Sequence, residues 1–222
     1  MNNQMISNNK VTLQGEVNSN PIFSHEIYGE SFYEFQLLVK RLSDTYDTIP
    51  VTVSYRLLVD NNIQLGDTIA FEGQFRSYNK IEDGKSKLML TVFVREFLME
   101  QDVITPNQIE ITGYICKEPI YRVTPFKREI CDVLLAVNRS YNKSDYLPCI
   151  AWGRNARYMK NFVIGDKVTV TGRIQSREYQ KKLDNDDVVT KIAYEVSLSK
   201  ICSDKESEFH VLPNIQDIAI SV

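Results

Sequence analysis

Between residues 138 and 179 the aromatic side chains Tyr141, Tyr146, Trp152, Tyr158 and Tyr179 are interleaved with the cations Arg139, Lys143, Arg154, Arg157, Lys160, Arg173 and Arg177. Together these two kinds of side chain can do one kind of work with no reacting group. A cation follows a phosphate, and a flat ring stacks under an unpaired base whatever its identity, which suits a groove for single-stranded nucleic acid. The same composition also arises when rings fill a core and charges solvate a surface. Position along the chain has to decide between the two.

Other chemistries find little footing. The cysteines Cys116, Cys131, Cys149 and Cys202 form no C-x-x-C pair and stand at no short spacing from a histidine, so neither a structural metal nor a cofactor is expected. The two histidines, His25 and His210, lie outside the strands read below, and no nucleophile motif, phosphate-cradling loop or H-E-x-x-H occurs, so no enzyme is expected. The 222 residues carry a net charge of −3, which by itself announces no nucleic-acid partner; a local patch can hide inside such a sum. No run approaches the roughly 18 apolar residues of a membrane span, and the first residues are polar, so the expectation is a cytoplasmic chain with free thiols and a disordered leader over residues 1–9.

The elements that must position the aromatic and basic residues are strands. VTLQGEV at residues 11–17 alternates apolar and polar, the period of a half-buried strand, and Asn20-Pro21 ends it. Further strands are predicted at 33–41, 49–55, 68–77 and 88–98, with a short helix at 56–62 and an Asp83-Gly84 turn. The same order then returns. IEITGYI at 109–115 repeats VTLQGEV, Pro119 repeats Pro21, VLLAVNR repeats FQLLVKR and Pro148 repeats Pro50, each 98 positions on. GDKVTVTGRIQS repeats GDTIAFEGQFRS 99 positions on. A constant offset over so many residues is an internal duplication. Each copy has five strands with one short helix between the third and fourth, in the second copy at 155–162. That is the order of the OB-fold, a small Greek-key barrel whose outer face and loops bind oligonucleotides or oligosaccharides. The fold class expected is therefore all-β, two tandem OB-fold five-stranded barrels, each with one short helix. The in-strand glycines Gly15, Gly73, Gly113 and Gly172 are expected at bends or bulges.

On the motifs NRSY, DYLPCIAWGR and GDKVTVTGRIQSREY, in that order and spacing, the second copy resembles the bacterial single-stranded DNA-binding protein family over residues 109–201. The resemblance implies binding of single-stranded DNA without strong sequence preference, in replication, recombination or repair, in assemblies presenting four OB domains. It implies stacking roles for Tyr141, Tyr146, Trp152 and Tyr179, with Arg139, Arg154, Arg173 and Arg177 as their cations. Strand parity supports part of this: Val168, Val170, Gly172 and Ile174 share one face, and Arg173, Gln175, Arg177 and Tyr179 the other. Parity leaves Trp152 open between core and groove, and Arg157 and Lys160 can simply be a solvated helix face.

The first copy departs from the pattern. Ser43, Thr48, Ser54 and Lys80 stand at the positions of Tyr141, Tyr146, Trp152 and Tyr179, although Tyr46, Tyr55 and Tyr78 lie nearby, within reach of a small register shift. Residues 138–182 sum to a charge of +7, and the matching residues 40–84 to −2. The expected division is a first domain over 1–100, degenerate in binding aromatics, a second, DNA-binding domain over 101–203, and a tail over 204–222. The tail lacks the acidic, apolar tip the family uses to recruit replication partners; Ile215, Ile218 and Ile220 can dock instead. Two copies per chain, with sheet edges to cover, predict a homodimer of four OB domains. The other reading is a non-enzymatic OB-fold protein-interaction module of a replication or primosome assembly.

Overall fold

The computed structural model describes residues 8–82, 84–182 and 188–203. The tail expected over 204–222 lies outside the described residues, as do residues 1–7 of the leader and Asp83 of the turn. Among the described residues no helix is long and apolar enough to cross a membrane.

The first copy comprises β1 (Asn9–Val17), β2 (Ile22–Ile27), β3 (Glu30–Lys40), β4 (Tyr46–Ser54), helix α1 (Tyr55–Asp60), β5 (Thr68–Glu82) and β6 (Lys85–Leu98). The second follows as β7 (Asn107–Ile115), β8 (Ile120–Val123), β9 (Glu129–Arg139), β10 (Lys143–Trp152), helix α2 (Arg154–Met159), β11 (Lys167–Lys182) and β12 (Val188–Ser203). In the first copy β1 pairs with β3 and β5, β3 with β4, β4 in parallel with β6, and β6 with β5. These five strands close a ring. The matching pairs of β7, β9, β10, β12 and β11 close a second. The chain is thus all-β, two tandem OB-fold barrels of five strands, each with its helix between the third and fourth barrel strands.

A sixth strand in each copy, β2 or β8, lies outside the ring on β3 or β9. Both are exposed along nearly their whole length, so they lack the apolar alternation that reveals a strand in sequence. Inside the rings, Leu13, Leu37, Ile49, Phe71 and Phe75 fill the first barrel, and Ile111, Leu135, Leu147 and Ile174 the second. Helix α2 buries Ala156 and Met159 against its barrel, whereas α1 buries no residue.

Two of the in-strand glycines sit opposite bulges. Gly73 pairs with Val94 and its predecessor Glu72 with Glu96, so Arg95 is the extra residue in β6. Gly172 and Thr171 bracket Ser199 in β12 in the same way. A Cβ at Gly73 would approach the Phe93 carbonyl oxygen to 2.5 Å, and one at Gly172 would overlap the Ser197 carbonyl oxygen. Glycine is required at both for that close approach.

The two copies join through β1 and β7, which pair antiparallel with Val11 opposite Ile109. These two residues are themselves repeat equivalents, so a local two-fold axis passes between them. Around it the side chains match in pairs. The Ser176 N–H of the second copy donates to Asp47 Oδ1 of the first (2.7 Å), and the Ser77 N–H of the first donates to Asp145 Oδ1 of the second (2.7 Å). The Thr48 N–H donates to Ser176 Oγ (3.1 Å), and the Tyr146 N–H to Ser77 Oγ (2.7 Å). Both carboxylates are buried, and each has an arginine of its own copy: Arg41 Nε lies 2.9 Å from Asp47 Oδ2, and Arg139 Nε lies 3.5 Å from Asp145 Oδ2. Burial pushes the Asp145 carboxyl above its ordinary value; the Ser77 amide and the charges of Arg139 and Arg76 pull the other way.

Removing Asp47 would leave Arg41 and the Ser176 amide without their shared acceptor in a partly dry junction. Asp47→Ala is therefore expected to cost about 2–4 kcal/mol. The drop should appear in the urea-unfolding midpoint of the whole chain at neutral pH, and an unchanged midpoint would show that the aspartate clasp does not hold the copies together.

Candidate nucleic-acid interface

Strand β10 begins the outer face of the second barrel. Asp145, Leu147, Cys149 and Ala151 are buried on one side of it; on the other, Ile150 is also covered but Tyr146 and Trp152 are exposed at 47% and 39%. The separation of six positions between Tyr146 and Trp152 keeps both on one side of the strand, which resolves the open orientation of Trp152: it faces outward. Its indole N–H donates to Ser197 Oγ on β12 (3.2 Å). β11 continues the face beyond. Arg173 Nη2 donates to Gln175 Oε1 (3.1 Å), Gln175 Nε2 donates to Glu195 Oε1 (2.8 Å), and Arg177 Nε lies 3.6 Å from the same Glu195 oxygen. The Arg177 guanidinium is 5.9 Å from the ring of Tyr179, which is 39% exposed. Trp152, Arg173, Arg177 and Tyr179 are thus linked along one outer face through Ser197, Gln175 and Glu195.

The remaining sequence-predicted residues fall differently. Tyr141 stands on the one-turn 3-10 segment Ser140–Asn142, with φ of 62° and an exposure of 94%. A non-glycine residue there is uncommon; it lifts the ring clear of the barrel. Arg154 is exposed on the first turn of α2. Arg139 and Arg173 sit at the junction between copies: Arg139 pairs with Asp145, and Arg173 Nη1 reaches Asp47 Oδ2 of the first copy at 3.2 Å. Gln175, expected on the outward face, is on it but buried under its neighbours. Arg157 pairs with Glu129 (3.3 Å), and Lys160 Nζ lies 5.0 Å from the Tyr121 ring, so both brace α2 against β8 and β9.

Sequence reasoning missed Glu195 and Ser197. On β12 they alternate with the apolar Val196 and Leu198, and that alternation is the signal that places them on the outer face. Glu195 puts a buried carboxylate in the middle of the cationic row, holding Arg177 where a phosphate would otherwise compete for it. A cleft of about 360 Å³ opens between the copies, lined by Arg41, Tyr46 and Thr48 on one side and Ser176, Arg177, Glu178 and Ile192 on the other. The first copy therefore walls one end of the second copy's face.

The model of the single-strand binding protein family matches residues 106–200. The chain is 30% identical over 96 residues to single-stranded DNA-binding protein A of Bacillus subtilis, covering 40% of this chain and 56% of that one. It is also 30% identical over 96 residues to single-stranded DNA-binding protein 3 of Streptococcus agalactiae, covering 40% of this chain and 70% of that one. The chain spans about half the length of the first curated relatives it matches. Among solved structures it is similar to the wild-type single-stranded DNA binding protein from Thermus aquaticus, with a TM-score of 0.67 over 88% of this chain and 92% of that one. At 19% identity that likeness speaks for the fold alone. With its second barrel matched by the family model and most of a relative aligned at 30% identity, the chain belongs to the single-strand binding protein family.

Proposed function

We propose that this chain binds single-stranded DNA without strong sequence preference and without catalysis, shielding it during replication, recombination or repair. The observation that carries the reading is the outer face of the second barrel, where Tyr146, Trp152 and Tyr179 are exposed beside Arg177. Tyr141 and Arg154 extend that face, and Arg139 and Arg173 anchor the end of it that meets the first copy. Rings in such a row suit stacked bases of any identity, and guanidinium groups suit the phosphates between them. The names of the Bacillus and Streptococcus relatives support the same ligand. The reading divides the chain into a domain over residues 1–100, a principal DNA-binding domain over 101–203 and a tail over 204–222, working in the cytoplasm on the nucleoid and alongside replication proteins.

Trp152 is the only tryptophan, so intrinsic fluorescence reports this face directly. Titration with poly-dT at low salt should quench it. Because a stacked aromatic contributes about 1–3 kcal/mol by alanine substitution, Tyr146→Ala and Tyr179→Ala should each weaken binding about five- to a hundred-fold. The absence of both quenching and a mobility shift in the unaltered chain would instead leave a protein-interaction module as the better reading.

Salt dependence separates phosphate contacts from stacking. Each phosphate neutralised on a single strand contributes about −0.7 to the slope of log affinity against log salt. Arg154→Ala combined with Arg177→Ala should flatten that slope by about one unit or more. A slope equal to that of the unaltered chain would remove both arginines from the DNA path.

We also propose a homodimer presenting four OB domains. The twelve-stranded sheet ends at β2 and β8, where Ile22, Phe23, Ile27, Ile120 and Val123 are exposed, and unpaired edges of this kind seek partners. Light scattering at micromolar concentration should give twice the 25.7 kDa of the chain; a monomer would exclude the assembly.

A further inference from the structure

The positions at which the first copy lacks the aromatics of the second are Thr48, Ser54 and Lys80 on its strands. In the fold, the first copy carries a ring one step from each. Tyr46 precedes Thr48 by two residues on β4, and Tyr78 precedes Lys80 by two on β5; both are exposed. A shift of two residues keeps a side chain on the same face of a strand and moves it about 7 Å along it. For Ser54 the displacement runs across the sheet. Trp152 of the second copy bonds to Ser197 on β12, which pairs with Arg173; the first-copy equivalent of Arg173 is Gln74, and its partner on β6 is Phe93. The ring absent from β4 at Ser54 thus stands on β6, at the place of Ser197.

The cations are permuted in the same manner. Where β11 reads Arg173-Ile174-Gln175, β5 reads Gln74-Phe75-Arg76, and the same bond joins each pair: Arg76 Nη2 donates to Gln74 Oε1 (2.9 Å). The Arg76 guanidinium lies over the Phe93 ring, 3.9 Å from its centroid, with the Arg95 guanidinium 5.8 Å from the same ring. Arg95 is the extra residue of the β6 bulge, and a bulge re-aims a side chain. Arg76 Nε is buried without an acceptor. Burial, reinforced by the nearby charges of Arg95 and Arg139 and relieved only by Asp145, pushes Arg76 down to about 10. Arg76 thus stands between two further guanidinium groups, those of Arg95 and Arg139, with Asp145 as the compensating charge and one donor unmet.

We propose that the first copy carries a single-strand track of its own, built on Tyr78 and on Phe93 capped by Arg76, with Arg95 as its exposed phosphate contact and Tyr46 at the junction. Bases stack on a guanidinium plane as they do on a ring, so the Arg76–Phe93 pair is a platform as it stands. The track is offset by one strand step from that of the second copy, and Arg139 and Arg76 adjoin where the two meet. A strand long enough to leave the second copy would be taken up by the first. This proposal rests on the single-strand reading above and extends it to a surface whose matched positions lack aromatics.

The test uses the full chain and two oligo-dT lengths, about 8 nucleotides to fill one OB domain and about 30 to cover both. Binding is followed by Trp152 fluorescence and mobility shift. Tyr78→Ala with Arg95→Ala should weaken binding of the long strand about tenfold and flatten its salt slope by about one phosphate's worth. Binding of the short strand, which occupies the second copy, should be unchanged. Arg95→Glu alone, on an exposed bulge, should give the same selective loss, so that misfolding of the double variant does not decide the matter. Equal affinities of variants and unaltered chain for the long strand would overturn the proposal. So would an equal loss on both lengths, which would place these residues in the second copy's groove. If the unaltered chain binds neither length, the single-strand reading itself fails.

Discussion

Two buried aspartates determine how the two barrels sit. Asp47 and Asp145 each reach across a local two-fold axis to cap the backbone N–H of a serine in the opposite copy, Ser176 or Ser77. A buried carboxylate is tolerated only when hydrogen bonds and opposite charge replace its lost water. Each of these obtains the amide from one copy and an arginine from the other. Neither barrel alone completes the set. The orientation of one outer face relative to the other follows from this constraint, because the same serines continue into β5 and β11, the strands that carry both rows of rings and cations.

The face itself shows competition between fixing cations and freeing them. Glu195 and Asp47 between them hold Arg177 and Arg173, and Gln175 links the two sets. Such bonds lock guanidinium groups in place, which lowers the ordering cost of binding, but they also neutralise part of the charge a phosphate would feel. The outer face is therefore a pre-set row rather than a set of loose cations. Its rings lie on strands of a closed barrel, apart from Tyr141, which a left-handed turn holds out into solvent.

Much of this was legible in the sequence, because the duplication doubles every signal. The offset of 98 aligns β1 with β7 residue for residue, and the added residue before β11 brings Gly73 onto Gly172, each facing a bulge. Period-two alternation located the barrel strands, and the glycine-bounded helix fell where the OB order requires it. What escaped was of two kinds. β2 and β8 bury little, so hydrophobic pattern is silent about them. The clasp joins residues 129 and 68 positions apart, and nothing local in Tyr46-Asp47-Thr48 marks its aspartate for burial. Trp152 lies between the two kinds: its spacing from Tyr146 is in the sequence, but only the unbroken strand joining them turns that spacing into a shared face.

The antiparallel pairing of β1 with β7 has a further consequence, which comes from the short link of residues 99–106 between the barrels. In an assembly of separate OB domains, a junction of one strand pair and two polar clamps would have to hold against dilution. Here the link turns that encounter into an intramolecular one, with an effective concentration on the order of millimolar for a short tether. The junction can then be weak in itself and still be closed at any concentration of the chain. The placement of one row of rings against the other, set by the two aspartates, is then independent of how dilute the chain is.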